Sequence, residues 1–111
     1  SHHFTVEVAA TEAQQARGLM FRATLAPDAG MIFPMSPPRY ASFWMKNTVI
    51  PLDMIFIRAD GRIARIAAET TPFSLLPVDS GEPVAAVLEL AGGRAAQLGL
   101  AGGDKVVWKR R

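Results

Sequence analysis

The sequence predicts a single mostly β domain of the α+β class, a compact barrel-like curved sheet of about six or seven strands with two short helices. Three observations lead there: short apolar or alternating runs recur along the chain, a two-residue Asp60-Gly61 turn joins two of them, and only two stretches combine helical spacing with cap signals. No repeat, low-complexity segment or second domain interrupts the pattern.

Phe4 to Ala9 reads F-T-V-E-V-A, which puts Phe4, Val6 and Val8 on one side of a half-buried strand. Thr11 offers a hydroxyl cap with Gln14 three residues on, and Ala13, Ala16, Leu19 and Met20 recur at helical spacing, so a helix is expected from about Thr11 to Met20. Pro27, Asp28 and Gly30 mark a turn before the apolar run Met31 to Met35, and Pro34, Pro37 and Pro38 make the next segment a loop. Phe43 to Thr48 reads as another strand, with Trp44, Lys46 and Thr48 on one face and Phe43, Met45 and Asn47 on the other.

The clearest local signal is I-F-I-R-A-D-G-R-I-A-R-I, Ile55 to Ile66, a hairpin whose Asp-Gly turn accepts positive φ. Its register sets Ile57 opposite Ala64, Ile55 opposite Ile66 and Asp53 opposite Ala68, which places Asp53 at the end of an apolar face. Residues 69–82 form a long connection anchored by Phe73, Leu75 and Leu76, and Pro83 to Leu90 returns to strand character. Gly92 to Leu98 is a short helix stopped by Gly99, and Gly102-Gly103-Asp104 turns into a last strand, Lys105 to Lys109.

Half of the 111 residues are hydrophobic and a fifth are charged, the make-up of one globular domain, placed here at residues 4–111 with residues 1–3 as a disordered tag or processing remnant. The net charge is +2, and basic residues are scattered apart from Lys109, Arg110 and Arg111, so no nucleic-acid partner is expected. The absence of cysteine excludes thiol nucleophiles, thiolate metal sites and disulfides. The two histidines, His2 and His3, lie in the remnant, which leaves the body without a histidine relay or zinc site. No Asp/Glu spacing matches a calcium loop, and neither metal nor cofactor is expected. No apolar run nears the ~20 residues of a membrane span. A start at Ser1 and not at Met reads either as a removed signal peptide or as the boundary of the expressed chain, and a removed signal or anchor is the one membrane link expected.

Polar residues inside apolar runs are the candidates for function. Lys46, Asn47 and Asp53 interrupt F-W-M-K-N-T-V-I-P-L-D-M, and Glu89 follows Ala85 and Val87 on one side of its strand. A charge buried alone costs several kcal/mol, roughly, so such groups either meet one another or line a wet cleft. One reading is a structural ion-pair network with Arg17 or Arg22. The other is a concave site in which amine and guanidinium bind an anionic or hydroxyl-rich ligand, the carboxylates orient it, and Trp44 forms a stacking wall. Asp53 and Glu89 as paired carboxylates, or Lys46 as an amine nucleophile, are the enzymatic alternatives. The five methionines read as core filler.

R-G-L-M-F-R (Arg17 to Arg22), G-M-I-F (Gly30 to Phe33), F-W-M-K-N-T-V-I-P-L-D-M-I-F (Phe43 to Phe56), V-L-E-L-A-G-G (Val87 to Gly93) and Gly103-Asp104 resemble, in order and spacing, domain-of-unknown-function family 192. The resemblance runs from Phe4 to Trp108. It implies a compact, mostly β, barrel-like domain with short helices, in a family whose bacterial members commonly follow a signal peptide or membrane anchor. A periplasmic or extracellular location is therefore expected. The family's biochemical function is not established, so no substrate carries over. Its signature positions fall here on Arg17, Gly18, Met20, Trp44, Lys46, Asn47, Pro51, Asp53, Glu89 and Gly93. The combined expectation is one polar cluster of Arg17, Lys46, Asn47, Asp53 and Glu89 beside Trp44, near one mouth of the sheet. There it would bind a small polar or anionic, saccharide-like ligand without catalysis. The alternatives are a small hydrolase, or a protein-interaction module using sheet edges or the proline loop.

Overall fold

The computed structural model describes residues 1–109, so Arg110 and Arg111 of the basic end lie outside the described residues. The elements run β1 (Thr5–Val8), α1 (Glu12–Arg17), β2 (Ala29–Phe43), β3 (Leu52–Ile57), β4 (Ile63–Ala67), β5 (Val78–Ala91) and α2 (Arg94–Leu98). They build one five-stranded sheet in the order β1-β2-β5-β3-β4. Only β1 and β2 pair in parallel, joined through α1, while the other pairs are antiparallel.

The mostly β character and two short helices agree with the sequence, but the sheet is open and has five strands rather than a barrel's six or seven. Two causes lower the count. The run at Met31, the proline segment and Phe43 form one strand of 15 residues, because the register against β5 shifts between Pro34 and Arg39. Prolines that cannot donate to a ladder thus sit in an irregularity of the strand and do not end it. At the other end, the expected last strand reduces to a single bridge between Arg62 and Lys105.

The sheet has no single interior because both of its faces are covered. Met31, Phe33, Met54, Phe56 and Val87 are buried on one face, and Ile32, Ile55, Ile57, Leu88 and Leu90 on the other. All six residues of β3 are buried, as expected of a strand with packing on both sides. The hairpin keeps the expected pairing of Ile55 with Ile66, but a bulge sets Ile57 opposite Ile63 in place of Ala64.

Helix α1 opens on the anticipated capping box, with the Thr11 hydroxyl accepting from Gln14 N (3.1 Å) and Gln14 Oε1 accepting from Thr11 N (3.0 Å). It stops at Arg17, earlier than expected, because Gly18 takes a φ of 50° and turns the chain. Gln15, not an alanine stripe, ties it down: its amide donates to the carbonyls of Ala9 (3.0 Å) and Pro34 (2.9 Å). Among the described residues no helix is long and apolar enough to cross a membrane.

Candidate functional site

A cleft of about 220 Å³ opens between the end of α1 with its Gly18–Met20 turn and the Met31/Phe33 face of the sheet. Phe33, Phe43 and Trp44 form apolar walls, Arg17, Arg39 and Thr48 are among its polar lining, and Glu89 belongs to it too. Gly30 keeps the strands close beside it: a Cβ there would stand 2.5 Å from the Glu89 carbonyl oxygen.

Glu89 lies near the C-terminal end of central β5, flanked by Met31 of β2 and Met54 of β3, and is 4% exposed. Burial pushes its carboxyl up from the ordinary 4.5 to about 8, with no neighbouring charge offsetting it. No described side chain or amide hydrogen-bonds to that carboxyl, yet no buried polar atom among the described residues is wholly enclosed without a partner. Its oxygens therefore open into the cleft. At neutral pH the group is mostly a neutral acid, able to donate one hydrogen bond and accept others.

Asp53 is equally buried but lies on the opposite face. It pairs across the sheet with Leu90, whereas Met54 pairs with Glu89, and directly opposed residues share a face. Its Oδ1 accepts from Glu69 N (2.8 Å) and Gly93 N (3.0 Å), and its Oδ2 accepts from Ala95 N (2.8 Å). Gly93, the residue before α2, has no side chain with which to cap the helix, and Asp53 supplies the cap from β3. The expected pairing of Asp53 with Glu89 across one cleft is thus corrected. Strand parity sends the two carboxyls to opposite sides, an arrangement that cannot flank one scissile bond.

Lys46 and Asn47 do not enter a strand either. Beyond Phe43 the chain leaves the sheet, and Thr48 N donates to Met45 O (3.1 Å) in a turn that puts Asn47 at a φ of 55°. Asparagine tolerates that conformation, and its carbonyl accepts from Phe21 N (2.8 Å), tying this turn to the one after α1. Lys46 is exposed, its ammonium 5.1 Å from the centre of the Trp44 ring. No ion pair among the described residues joins Lys46 or Arg17 to an acid.

The expected cluster therefore divides. Arg17, Trp44 and Glu89 line one cleft, Lys46 and Asn47 shape its outer turn, and Asp53 caps a helix behind the sheet. The cleft also draws on Gln15, Arg39 and Ser42, which sequence reasoning missed. Arg39 donates to Gln15 Oε1 at 3.3 Å. Arg39 follows directly on the irregularity in β2, whose prolines read in sequence as a loop.

The model of family DUF192, described as Uncharacterized ACR, matches residues 1–108. Two solved structures are similar over nearly the whole chain. A protein of unknown function from Novosphingobium aromaticivorans DSM 12444 is 52% identical with a TM-score of 0.94, covering 96% of this chain and 76% of its own. A Sinorhizobium meliloti 1021 protein described as a candidate transcription regulator is 47% identical with a TM-score of 0.90, covering 92% and 79%. No curated protein matches.

Proposed function

The chain belongs to the DUF192 family, and from that premise we propose that it binds, without catalysis, a small polar or anionic, saccharide-like ligand in the cleft that Glu89 lines. One observation carries the reading: Glu89 is a buried acid with no described hydrogen-bond partner, open to a cleft with aromatic walls. Because its oxygens face the cleft and not a described donor, a ligand hydroxyl can form a hydrogen bond there, a net gain of about 0.5–1.5 kcal/mol. Trp44 offers a flat apolar face to a sugar ring, and Arg17 and Arg39 favour a ligand with an anionic substituent. The description of the S. meliloti relative is not carried over, because helices of five and six residues are short for reading a DNA groove.

The test is a thermal-shift screen of monosaccharides, uronic acids, sugar phosphates and small carboxylates on the wild type, Glu89→Gln and Arg17→Met. A true ligand at about a hundred times its Kd adds ~2.7 kcal/mol of stability, a shift of several degrees in a domain of this size. The expected hit raises the wild-type melting temperature and loses at least about half of that shift in both variants. A screen with no hit, or hits unchanged in both variants, would overturn the reading.

A further inference from the structure

The outer rim beyond the cleft carries a second surface, built from three turns laced together by backbone hydrogen bonds. Phe21 N donates to Asn47 O (2.8 Å), Phe73 N to Thr48 O (3.1 Å), and Met45 N to Ser74 O (2.9 Å). On these turns Phe21, Phe73, Leu75 and Leu76 are 62%, 59%, 63% and 75% exposed. Leu75 adjoins Trp44 around a shared hollow with Pro77, which adds the Trp44 ring to the exposed apolar side chains of these turns. Phe21 and Phe73 hold φ values of 65° and 64°, a conformation uncommon for bulky residues, and both rings stand out in water. Exposed apolar residues gathered in this way mark a contact surface.

Its charge identifies the partner. No Asp or Glu occurs in residues 13–27, 29–52 or 70–78, the segments that contribute the three turns. Two of the four cations in them sit against aromatic rings: the Arg17 guanidinium lies 5.5 Å from the centre of Phe21, and the Lys46 ammonium 5.1 Å from that of Trp44. Neither cation is held by an acid among the described residues, whereas Arg22 is tied to Glu7. Protein interfaces deplete lysine and require matched shapes. Apolar side chains protruding from separate turns, with unpaired cations at their bases, suit a fluid anionic layer. The apolar tips enter the acyl boundary while Arg and Lys meet headgroup phosphates.

We propose that the Phe21, Lys46 and Phe73–Leu76 turns form a peripheral docking surface for an anionic phospholipid bilayer. This contact is made by the folded domain itself, it needs no N-terminal anchor, and it stands independently of any ligand in the cleft.

The test is flotation of the full chain with vesicles of phosphatidylcholine alone and of equal parts phosphatidylcholine and phosphatidylglycerol. The wild type is expected to co-float with the anionic vesicles at low salt. Recovery should fall about tenfold on neutral vesicles or at high salt, because the attraction to anionic headgroups is screened. Leu75→Ser/Leu76→Ser and Phe73→Asn should each weaken partition roughly tenfold or more without lowering the melting temperature, since each removes exposed apolar area that only the bilayer buries. Asn is chosen at 73 because it accepts positive φ. Lys46→Glu should act in the same direction, and Val107→Ser, an exposed apolar residue beside the other face, should not. A wild type that stays out of the anionic vesicles overturns the proposal, as does equal recovery of the Leu75/Leu76 variant. Self-association that this variant abolishes, without flotation of the wild type, reassigns the surface to a second copy of the chain.

Discussion

Two carboxyls, Asp53 and Glu89, sit on hydrogen-bonded neighbouring strands, one register step apart, and both are almost wholly buried. They have opposite fates. Asp53 accepts three backbone amides from a loop and a helix start, while Glu89 meets methionines, aromatic walls and an open cleft. Burial is thus no guide to role by itself. What separates the two faces of this sheet is whether the covering layer brings backbone donors. Behind Asp53 the layer is chain whose N–H groups donate to its carboxylate. Over Glu89 it is side chains around a space.

The contrast is broken most severely at Asp53. Asp53→Ala leaves three N–H groups near β3 without acceptors and α2 without a cap, an expected loss of about 3–5 kcal/mol in urea unfolding. Asp53→Asn, which keeps one acceptor oxygen, should lose less than the alanine. If Asp53→Ala unfolds like the wild type, the amide contacts carry no weight and the distinction between the two faces collapses.

Glu89 supplies the next largest effect, and its sign is opposite. Its carboxyl titrates near 8 when folded and near 4.5 when unfolded, so between those values the folded state holds the proton that the unfolded state has lost. Stability therefore falls as pH rises from about 4.5 to about 8, then levels off. Glu89→Gln removes the charge without removing the volume. It should change stability little at pH 5 and raise it by roughly 2–4 kcal/mol at pH 9, flattening the profile between. The acids paired with arginine work against this slope only at low pH: Glu7 with Arg22 and Glu82 with Arg58 are held below the usual carboxylate range, and their stabilisation is lost as acid protonates them. Urea melts across pH 5–9 on the two proteins separate these contributions. An identical slope in both would mean that water or a rearrangement already satisfies Glu89.

Much of this geometry was legible where the chain speaks to its near neighbours. The capping box at Thr11 and Gln14 and the pairing of Ile55 with Ile66 follow from short-range signals and match the structure, whereas the expected two-residue Asp60-Gly61 turn is a three-residue loop, because Arg58 N donates to Arg62 O (2.8 Å) and Ile57 then faces Ile63. Long-range facts were not. The donors to Asp53 come from 16, 40 and 42 residues away, so a helix cap supplied by a strand looked like a stray acid in an apolar run. Parity on L-D-M-I-F-I did place Asp53 with Ile55, but the pairing of β3 to β5 that sends Glu89 to the other face cannot be read from either strand alone. The same near-continuous run carried a missed signal: a strand buried on both faces belongs to a covered sheet, and a barrel with one interior would have left half of it exposed. The prolines of β2 concealed a single long strand, and with it the position of Arg39 at the cleft.

Lys46 tests the comparison at its weak end. It stands in the same apolar run as Asp53, and sequence alone gave the two equal standing, yet its ammonium is in water with one aromatic ring beneath it. Exposed cation–aromatic contacts contribute about 0.5–1 kcal/mol at most, and surface substitutions away from special backbone positions change stability by about 0.5 kcal/mol or less. Lys46→Met keeps an unbranched stem over Trp44 and removes only the charge, so its expected effect in urea unfolding is within about 0.5 kcal/mol of zero, against several for Asp53→Ala. A loss approaching that of Asp53→Ala would require a buried acceptor for the amine, which would return Lys46 to the floor of a site and undo its place on the outer turn. A null result on stability leaves its charge free for what the outer turn meets, because a solvated cation that holds nothing within the fold is available to a partner outside it.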